Sequence, residues 1–259
     1  SLTHAKAAEN LFVPTYAGLN FEHIFSGDGD ESADVFFEPR KAPMTFRKLA
    51  GDEAELHQPP TPTWHLESWT RFKLVAPHYI DMHFRCRATQ HVFQRGYIGL
   101  FWASYINAPV DKSLYFPGGV DGSKERDFWT QFCTQQHNLD CTVKHRADPH
   151  RLTYGPSTRD ALYKNISPLR FDQPLYYGRF EDHLWAIKFD RSLGIRFTHS
   201  PSGGGANAGR RTTNPAWDFQ FIISPYEVNT DYEFKARAMF RPACSRDEIL
   251  EELGRWQPA

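Results

Sequence analysis

Cysteine is scarce. There are 4 in 259 residues, too few for the disulfide framework that props up small secreted domains. Neither sign of charge prevails. Lys plus Arg total 30 against 31 for Asp plus Glu, so no long-range field draws in nucleic acid or an acidic membrane surface. The longest uncharged apolar run, IGLFWASYI at 98–106, falls well short of the roughly 20 residues a helical bilayer span needs. Repeats, heptads, low-complexity tracts and the βαβ alternation of a nucleotide-binding fold are also missing. These absences argue against nucleic-acid, membrane and cofactor partners. A chain that opens on Ser1 fits either a cytoplasmic protein or one exported after its signal is trimmed.

Aromatic residues are plentiful: 21 Phe, 11 Tyr and 7 Trp, or 15% of the chain. Such side chains suit pleated surfaces. The segment HYIDMHFRCRAT, 78–89, shows the pleat directly. Tyr79, Asp81, His83, Arg85 and Arg87 point one way, and Ile80, Met82, Phe84 and Cys86 the other. A period of two is the strand period. One face is an apolar wall, and the other is a polar ladder suited to a ligand-facing sheet.

Extended runs recur along the chain. AGLNFEHIFSG reads as a strand, DVFFEPRKAPMTFRKL as two short strands broken by prolines, and ESWTRFKLV as another. The alternating strand and YIGLFWASYIN are expected to form a hairpin. DFWTQFCTQQHN reads as a short helix and CTVKH as a short strand. HLWAIKFD, LGIRFTHS, AWDFQFII and DYEFKARAMF give four late strands. Ser245 followed by Glu248 is a capping-box signature, and Ile249, Leu250, Leu253 and Trp256 form a helical stripe. The expectation is an all-β chain: one domain over 1–259, a large antiparallel β-sandwich with a short C-terminal helix at 246–256.

Several clusters bear on chemistry. The glycine run Ser202–Gly205 lacks the Lys-Ser or Lys-Thr and the following helix of a phosphate loop, and reads as a loop over a groove. Cys133, His137, Cys141 and His145 are zinc-ligand types at intervals of four. Asn138 and Asp140 interrupt any shared helix and no C-x-x-C is present, so core thiols and surface histidines are the preferred reading, with no metal. His83 and His199 are the candidate acid–base imidazoles, with Asp81 and Asp218 as their carboxyl counterparts. Arg85, Arg179 and Arg196 would hold hydroxyl or carboxylate groups. Tyr177, Trp102 and Trp217 offer stacking faces.

The order AGLNFEHIF, FEPR, HYIDMHFRCRA, GLFWASYIN and late WDFQ resembles bacterial proteins of the galactose-mutarotase-like (aldose 1-epimerase-like) β-supersandwich class, over about residues 15–240. The resemblance implies a concave sheet that binds sugars. In the mutarotases of that class, two histidines and a glutamate open and close an aldose ring. One of those histidines stands just before a Tyr-aromatic-Asn motif. Ala103-Ser104-Tyr105-Ile106-Asn107 is the nearest match here: Tyr105 and Asn107 match, with Ile106 in the aromatic place, and the two are counted among the ligand-binding residues. Ala103 takes the histidine place, which argues against mutarotation by that route because alanine transfers no proton.

The combined reading is a carbohydrate-binding or carbohydrate-processing protein for a sugar or sugar acid, isomerase-like, epimerase-like or lyase-like if it is an enzyme. The competing reading is a non-catalytic lectin-like or jelly-roll module for glycan or protein. The two are separated by whether an acid and a base face each other across one groove.

Overall fold

A computed structural model describes residues 2–4, 9–14, 18–28, 32–124, 128–156 and 161–258. The chain begins with β1 (Asn20–Phe25) and two four-residue helices, α1 (Ala33–Phe36) and α2 (Glu38–Lys41). There follow β2 (Thr45–Lys48), β3 (Glu53–Gln58), β4 (Leu66–Val75), β5 (Tyr79–Ala88), β6 (Ile98–Ala103), β7 (Leu114–Val120) and β8 (Trp129–Phe132). Next come β9 (Thr142–His145), α3 (Ala161–Lys164), β10 (Ile166–Phe171), β11 (Leu175–Phe180), β12 (His183–Phe189) and β13 (Ile195–Ser200). A small ribbon of β14 (Ala206–Asn207) and β15 (Thr212–Thr213) precedes β16 (Ala216–Ile223), β17 (Asp231–Pro242) and α4 (Arg246–Gly254).

The strands make an all-β sandwich. The first sheet runs β1-β6-β16-β13-β9-β10-β7 and the second β7-β11-β12-β17-β5-β4-β3-β2. Pairing is antiparallel throughout except between β9 and β10. β7 belongs to both sheets: Tyr115 pairs with β11 and Gly118–Val120 with β10. At this corner a side chain on Gly118 would place its Cβ 2.1 Å from the Arg170 carbonyl oxygen, so glycine permits the close approach.

The inner faces meet in a layer of aromatic rings. Trp102 of β6 stacks on Phe219 of β16 at 5.0 Å. It also meets Phe84 of β5 at 4.7 Å and Phe234 of β17 at 5.1 Å edge-on across the layer. Phe189 of β12 approaches Phe219 at 4.9 Å. Each such pair adds about 0.5–1.5 kcal/mol beyond simple burial.

The expected hairpin of β5 with β6 does not form. β5 pairs with β4 and β17, while β6 pairs with β1 and β16. Both strands carry an apolar face, and placing them in opposite sheets buries Phe84 against Trp102. A hairpin would have set those faces side by side. The DVFFEPRK segment is helical rather than extended. Pro39 sits in the first turn of α2, where its missing N–H costs nothing. The buried Glu38 carboxylate accepts from the backbone N–H groups of Thr63 (2.7 Å) and Trp64 (3.1 Å). The expected helix in DFWTQFCTQQHN is instead β8, drawn into the ladder with β7 from Leu114↔Phe132 to Pro117↔Trp129.

The C-terminal helix forms with its capping box, Ser245 and Glu248 each bonding the other's backbone N–H. Ile249 and Leu253 of α4 bury against Leu184, Ala186 and Met239 on the outside of the second sheet.

Because Phe84 is fully buried between the sheets, Phe84→Ala is expected to cost about 3–5 kcal/mol. Equilibrium urea unfolding measures this, and a loss below 1 kcal/mol would show that the two inner faces are not packed on each other.

Candidate functional site

With the inner faces largely apolar, most polar side chains of the strands lie on the two outer faces, and the two differ. On the second sheet the β5 ladder is matched by charges from β17. Arg237 donates two bonds to Asp81, at 2.6 and 2.7 Å. His83 bonds Glu233 at 2.8 Å. Arg85 and Arg87 share Asp231 at 2.6 and 2.8 Å, and Arg85 lies 3.9 Å over the Trp69 ring. These groups are partly exposed, so each pair contributes at most about 1 kcal/mol. The hollow beside Asp81 and His83 holds about 230 Å³.

The outer face of the first sheet is roofed. Its row of Thr198, Gln220 and Thr142 is buried and internally bonded. Towards β1 the row opens into a cleft of about 460 Å³ lined by Glu22, His23, Tyr105, His137, Ser200 and Asp218, with Phe36, Phe37 and Phe101 as apolar walls. A register shift in β1 between Phe21 and His23 lets consecutive residues, Glu22 and His23, both serve this face.

Glu22 is the hub. Its Oε1 accepts from the Tyr105 hydroxyl at 2.6 Å and lies 3.1 Å from His23 Nε2. Its Oε2 accepts from Arg40 Nη1 and Asn20 Nδ2, each at 3.1 Å. Burial by itself would raise this carboxyl. The contacts with His23 and Tyr105 and the Arg40 charge outweigh it and hold Glu22 below the usual carboxylate range. The His23 ring stacks on Phe101 at 5.0 Å and sits 3.9 Å from Phe36. Its Nδ1 is 2.6 Å from the Tyr163 hydroxyl. Its Nε2 approaches Glu22 too obliquely for a hydrogen bond and is left without one. Burial pushes the imidazole below its ordinary pKa despite Glu22.

Asp218 has the opposite environment. It is fully enclosed, and burial lifts its carboxyl far above the ordinary value. One backbone bond, from Ser104 N to Oδ1 at 2.8 Å, opposes the rise, and the Glu22 charge adds to it. Its second oxygen makes no hydrogen bond among the described residues. Two carboxyl groups thus line one cleft with their proton affinities pushed apart, the pattern of an acid and a base. Across from them His137 Nδ1 meets the Ser200 hydroxyl at 2.8 Å.

Of the residues singled out in the sequence, the structure brings Asp218 and Tyr105 to this cleft. Asp81, His83 and Arg85 lie on the opposite outer face. Trp102 and Trp217 are fully buried in the inter-sheet core, with Trp217 Nε1 bonded to the Lys112 carbonyl. Tyr177 stacks on Tyr115 at 5.0 Å and bonds Arg246 beneath α4. Arg179 is exposed on β11. Arg196 is buried 3.5 Å from Asp148, further along the roofed face. Asn107 reaches the Asn10 carbonyl and the Asn207 amide. The four spaced zinc-type residues diverge: Cys133 is exposed, Cys141 is buried against the Leu162 carbonyl, His137 enters the cleft, and His145 packs on Phe171. Among the described residues no three metal-binding side chains gather.

Glu22, His23 and Ser200 were not singled out in the sequence, and His137 was considered there only as a zinc-ligand type. One signal was available: Glu22-His23 is an ionisable doublet inside the apolar run NFEHIF.

His199 faces inward. Thr134 N donates to Nδ1 at 3.2 Å, so Nε2 carries the proton and donates to the Lys112 carbonyl at 2.8 Å. Burial pushes its pKa down to about 4, which favours the neutral ring, and it lies away from the cleft with both ring nitrogens bonded within the fold.

No protein-family model and no curated protein matches the chain. Similar solved structures include HI1317, at 6% identity and TM-score 0.50 over 92% of this chain and 83% of that one. A putative aldose 1-epimerase from Escherichia coli K12 matches at 9% identity and TM-score 0.48, over 90% of this chain and 89% of that one. A galactose mutarotase-like protein from Lactobacillus casei ATCC 334 matches at 9% identity and TM-score 0.40, over 86% and 83%. The all-β sandwich expected from the sequence is the one observed. Identities this low speak to fold alone and assign no activity and no residue role.

A histidine with a depressed native pKa lends stability that is complete above its unfolded pKa and lost as pH falls through the folded one. Stability should therefore decline between about pH 6.5 and 4, with His199 supplying on the order of 3 kcal/mol of the decline. Urea unfolding at pH 7 and pH 4.5 tests this: His199→Gln should show a smaller drop than the parent, and an equal drop would remove His199 as the cause.

Proposed function

We propose that the cleft on the first sheet binds a monosaccharide and performs general acid–base chemistry on it. The observation that carries this reading is the pair Glu22 and Asp218: two buried carboxyl groups on one cleft, the first in surroundings that favour its charged form and the second in surroundings that favour its neutral form. Phe36, Phe37 and Phe101 supply flat apolar faces of the kind sugar rings stack on. Tyr105, Ser200, His137 and the unbonded Nε2 of His23 supply donors and acceptors for hydroxyl groups.

The division of labour follows from the environments. Protonated Asp218 donates to the ring oxygen of the bound aldose as its bond to the anomeric carbon breaks, and the anomeric hydroxyl oxygen, losing its proton, becomes the carbonyl of the open chain; reclosure reverses both transfers. Ionised Glu22 accepts the proton of a neighbouring hydroxyl. Tyr105 and Arg40 steady the Glu22 carboxylate, and His23 is the neutral spacer between it and the aromatic wall. The route needs no histidine at position 103, because carboxyl groups carry both proton transfers.

Anomer exchange of free aldoses, followed by NMR with the purified protein, tests the assignment. Glu22→Gln and Asp218→Asn should each lower the catalysed rate by about 10²–10⁴-fold while leaving sugar affinity within a few-fold. The pH profile should rise as Glu22 ionises and fall only as Asp218 does. Wild-type rates in both variants would overturn the acid–base pair. Sugar binding with no exchange in the parent would favour the lectin-like module. His83→Ala separates the two outer faces, since a loss of sugar binding there would return the site to β5.

Asp218 also makes a prediction about stability. Its raised native pKa means that the stability tied to its proton is present below the unfolded pKa and lost as pH rises through the folded one. Asp218→Asn keeps an acceptor for Ser104 N and removes that loss. The variant should match or exceed the parent in thermal midpoint at pH 9 while losing activity; a variant markedly less stable at pH 9 would mean that the carboxylate is accommodated as an anion.

A further inference from the structure

A second cavity, of about 500 Å³, lies on the far side of Glu22, between the open edges of the two sheets. Phe21 of β1, Pro39 of α2, Leu56 of β3 and Phe72 of β4 form its apolar walls, and Met44 stands 45% exposed at its rim. The polar groups that reach it are few. Gln58 is spent on the Pro39 and Ala42 carbonyls and Asn20 on Glu22. Ser68 and Thr70 are buried on the inner face of β4, and their hydroxyls make no hydrogen bond among the described residues. Arg40 is the cation of this cavity. Its side chain is 34% exposed, Nη1 bonds Glu22 Oε2, and the guanidinium carbon lies 5.7 Å from the Phe37 ring centre. Its Nε and Nη2 make no hydrogen bond among the described residues.

An apolar chamber with one underused guanidinium and two unpartnered hydroxyls has a definite complement. We infer that this cavity is a binding site for an organic monocarboxylate with an apolar body, its carboxylate on Arg40 and its body between Phe21, Leu56 and Phe72. A carboxylate suits the planar fork of a guanidinium, which can give it two parallel bonds. The volume lies in the range of small-molecule sites. Ser68 and Thr70 offer donors to the second lone pairs of the bound oxygens.

The site shares Arg40 with the first cleft. Glu22 shows Oε1 to Tyr105 and His23 and Oε2 to Arg40 and Asn20, so its carboxylate forms the wall between the two cavities. A carboxylate bound to Arg40 competes with Glu22 for the same guanidinium. Its binding weakens the support that holds Glu22 ionised, and Glu22 weakens its binding in return. The binding site stands whatever the first cleft accepts.

Calorimetric titration with octanoate, with phenylacetate and with the corresponding amides tests this on the intact protein. Saturable 1:1 binding of the carboxylates is expected, with the amides at least tenfold weaker. Arg40→Gln should weaken carboxylate binding at least tenfold. Glu22→Gln, which frees Arg40, should tighten it several-fold. Leu56→Trp fills the chamber, leaves Arg40 in place and should abolish binding; it decides the matter if Arg40→Gln proves unfolded by thermal melting. No saturable carboxylate binding in the parent, or parent-like affinity in both Arg40→Gln and Leu56→Trp, overturns the site. Amides that bind as well as the acids overturn recognition by Arg40, and unchanged affinity in Glu22→Gln overturns the competition. These readouts use no sugar, so failure of the monosaccharide reading and failure of this one are separate results.

Discussion

Two sheets close on a shared layer of aromatic rings, and everything else in the fold works around that layer. Trp102, Phe219, Phe84 and Phe234 meet at ring separations of 4.7 to 5.7 Å. So full an interior leaves no room for water or for polar chemistry between the central strands. Buried polar groups are consequently pushed to the outer faces or to the edges where one sheet overhangs the other. The candidate cleft occupies the first kind of place and the carboxylate chamber the second.

A polar group on an outer face becomes useful when something roofs it. α4 roofs part of the second sheet, over Tyr177, Leu184, Ala186 and Met239; the β5 ladder beyond stays partly exposed, with charges that neutralise one another in pairs. Over the first sheet, α1, α2 and the segments around His137 and Leu162 exclude water from Glu22, His23 and Asp218. Low dielectric then separates the two carboxyl groups by their partners. Glu22 has four polar neighbours and ionises, whereas Asp218 has one backbone N–H and holds its proton. One of these four, Arg40, comes from α2 and ties it to β1, so the ionisation of Glu22 and the position of the roof are linked. Arg40, reaching Glu22 from α2, belongs to both cavities for that reason.

Legibility in the sequence followed the range of the interactions. The Ser245–Glu248 capping box spans three residues and reads off correctly. The alternation from Tyr79 to Ala88 gives the two faces of β5 correctly, Met82, Phe84 and Cys86 being buried. The partner of β5 was misread, because the hairpin expectation rested on proximity along the chain and Phe84 finds Trp102 across the core instead. Trp102 and Trp217 look like stacking platforms in the sequence and are core residues in the fold, since strand parity alone does not say which face is inward. Glu22-His23 was readable as an ionisable pair in an apolar strand, but the register shift that turns both onto one face is a property of pairing with β6.

The sequence by itself determined that this is a β protein, where many of its strands lie, how β5 divides into two faces, and where the last helix starts. Periodicity and capping are local, and a few residues suffice to set them. Which outer face becomes an enclosed site was decided by tertiary structure. That outcome depends on segments far apart in the chain, Arg40 on Glu22 and Tyr163 on His23, and on the difference in burial that leaves one carboxyl charged and the other neutral. Burial is a property of the assembled sandwich, and the order of residues along any one strand does not contain it.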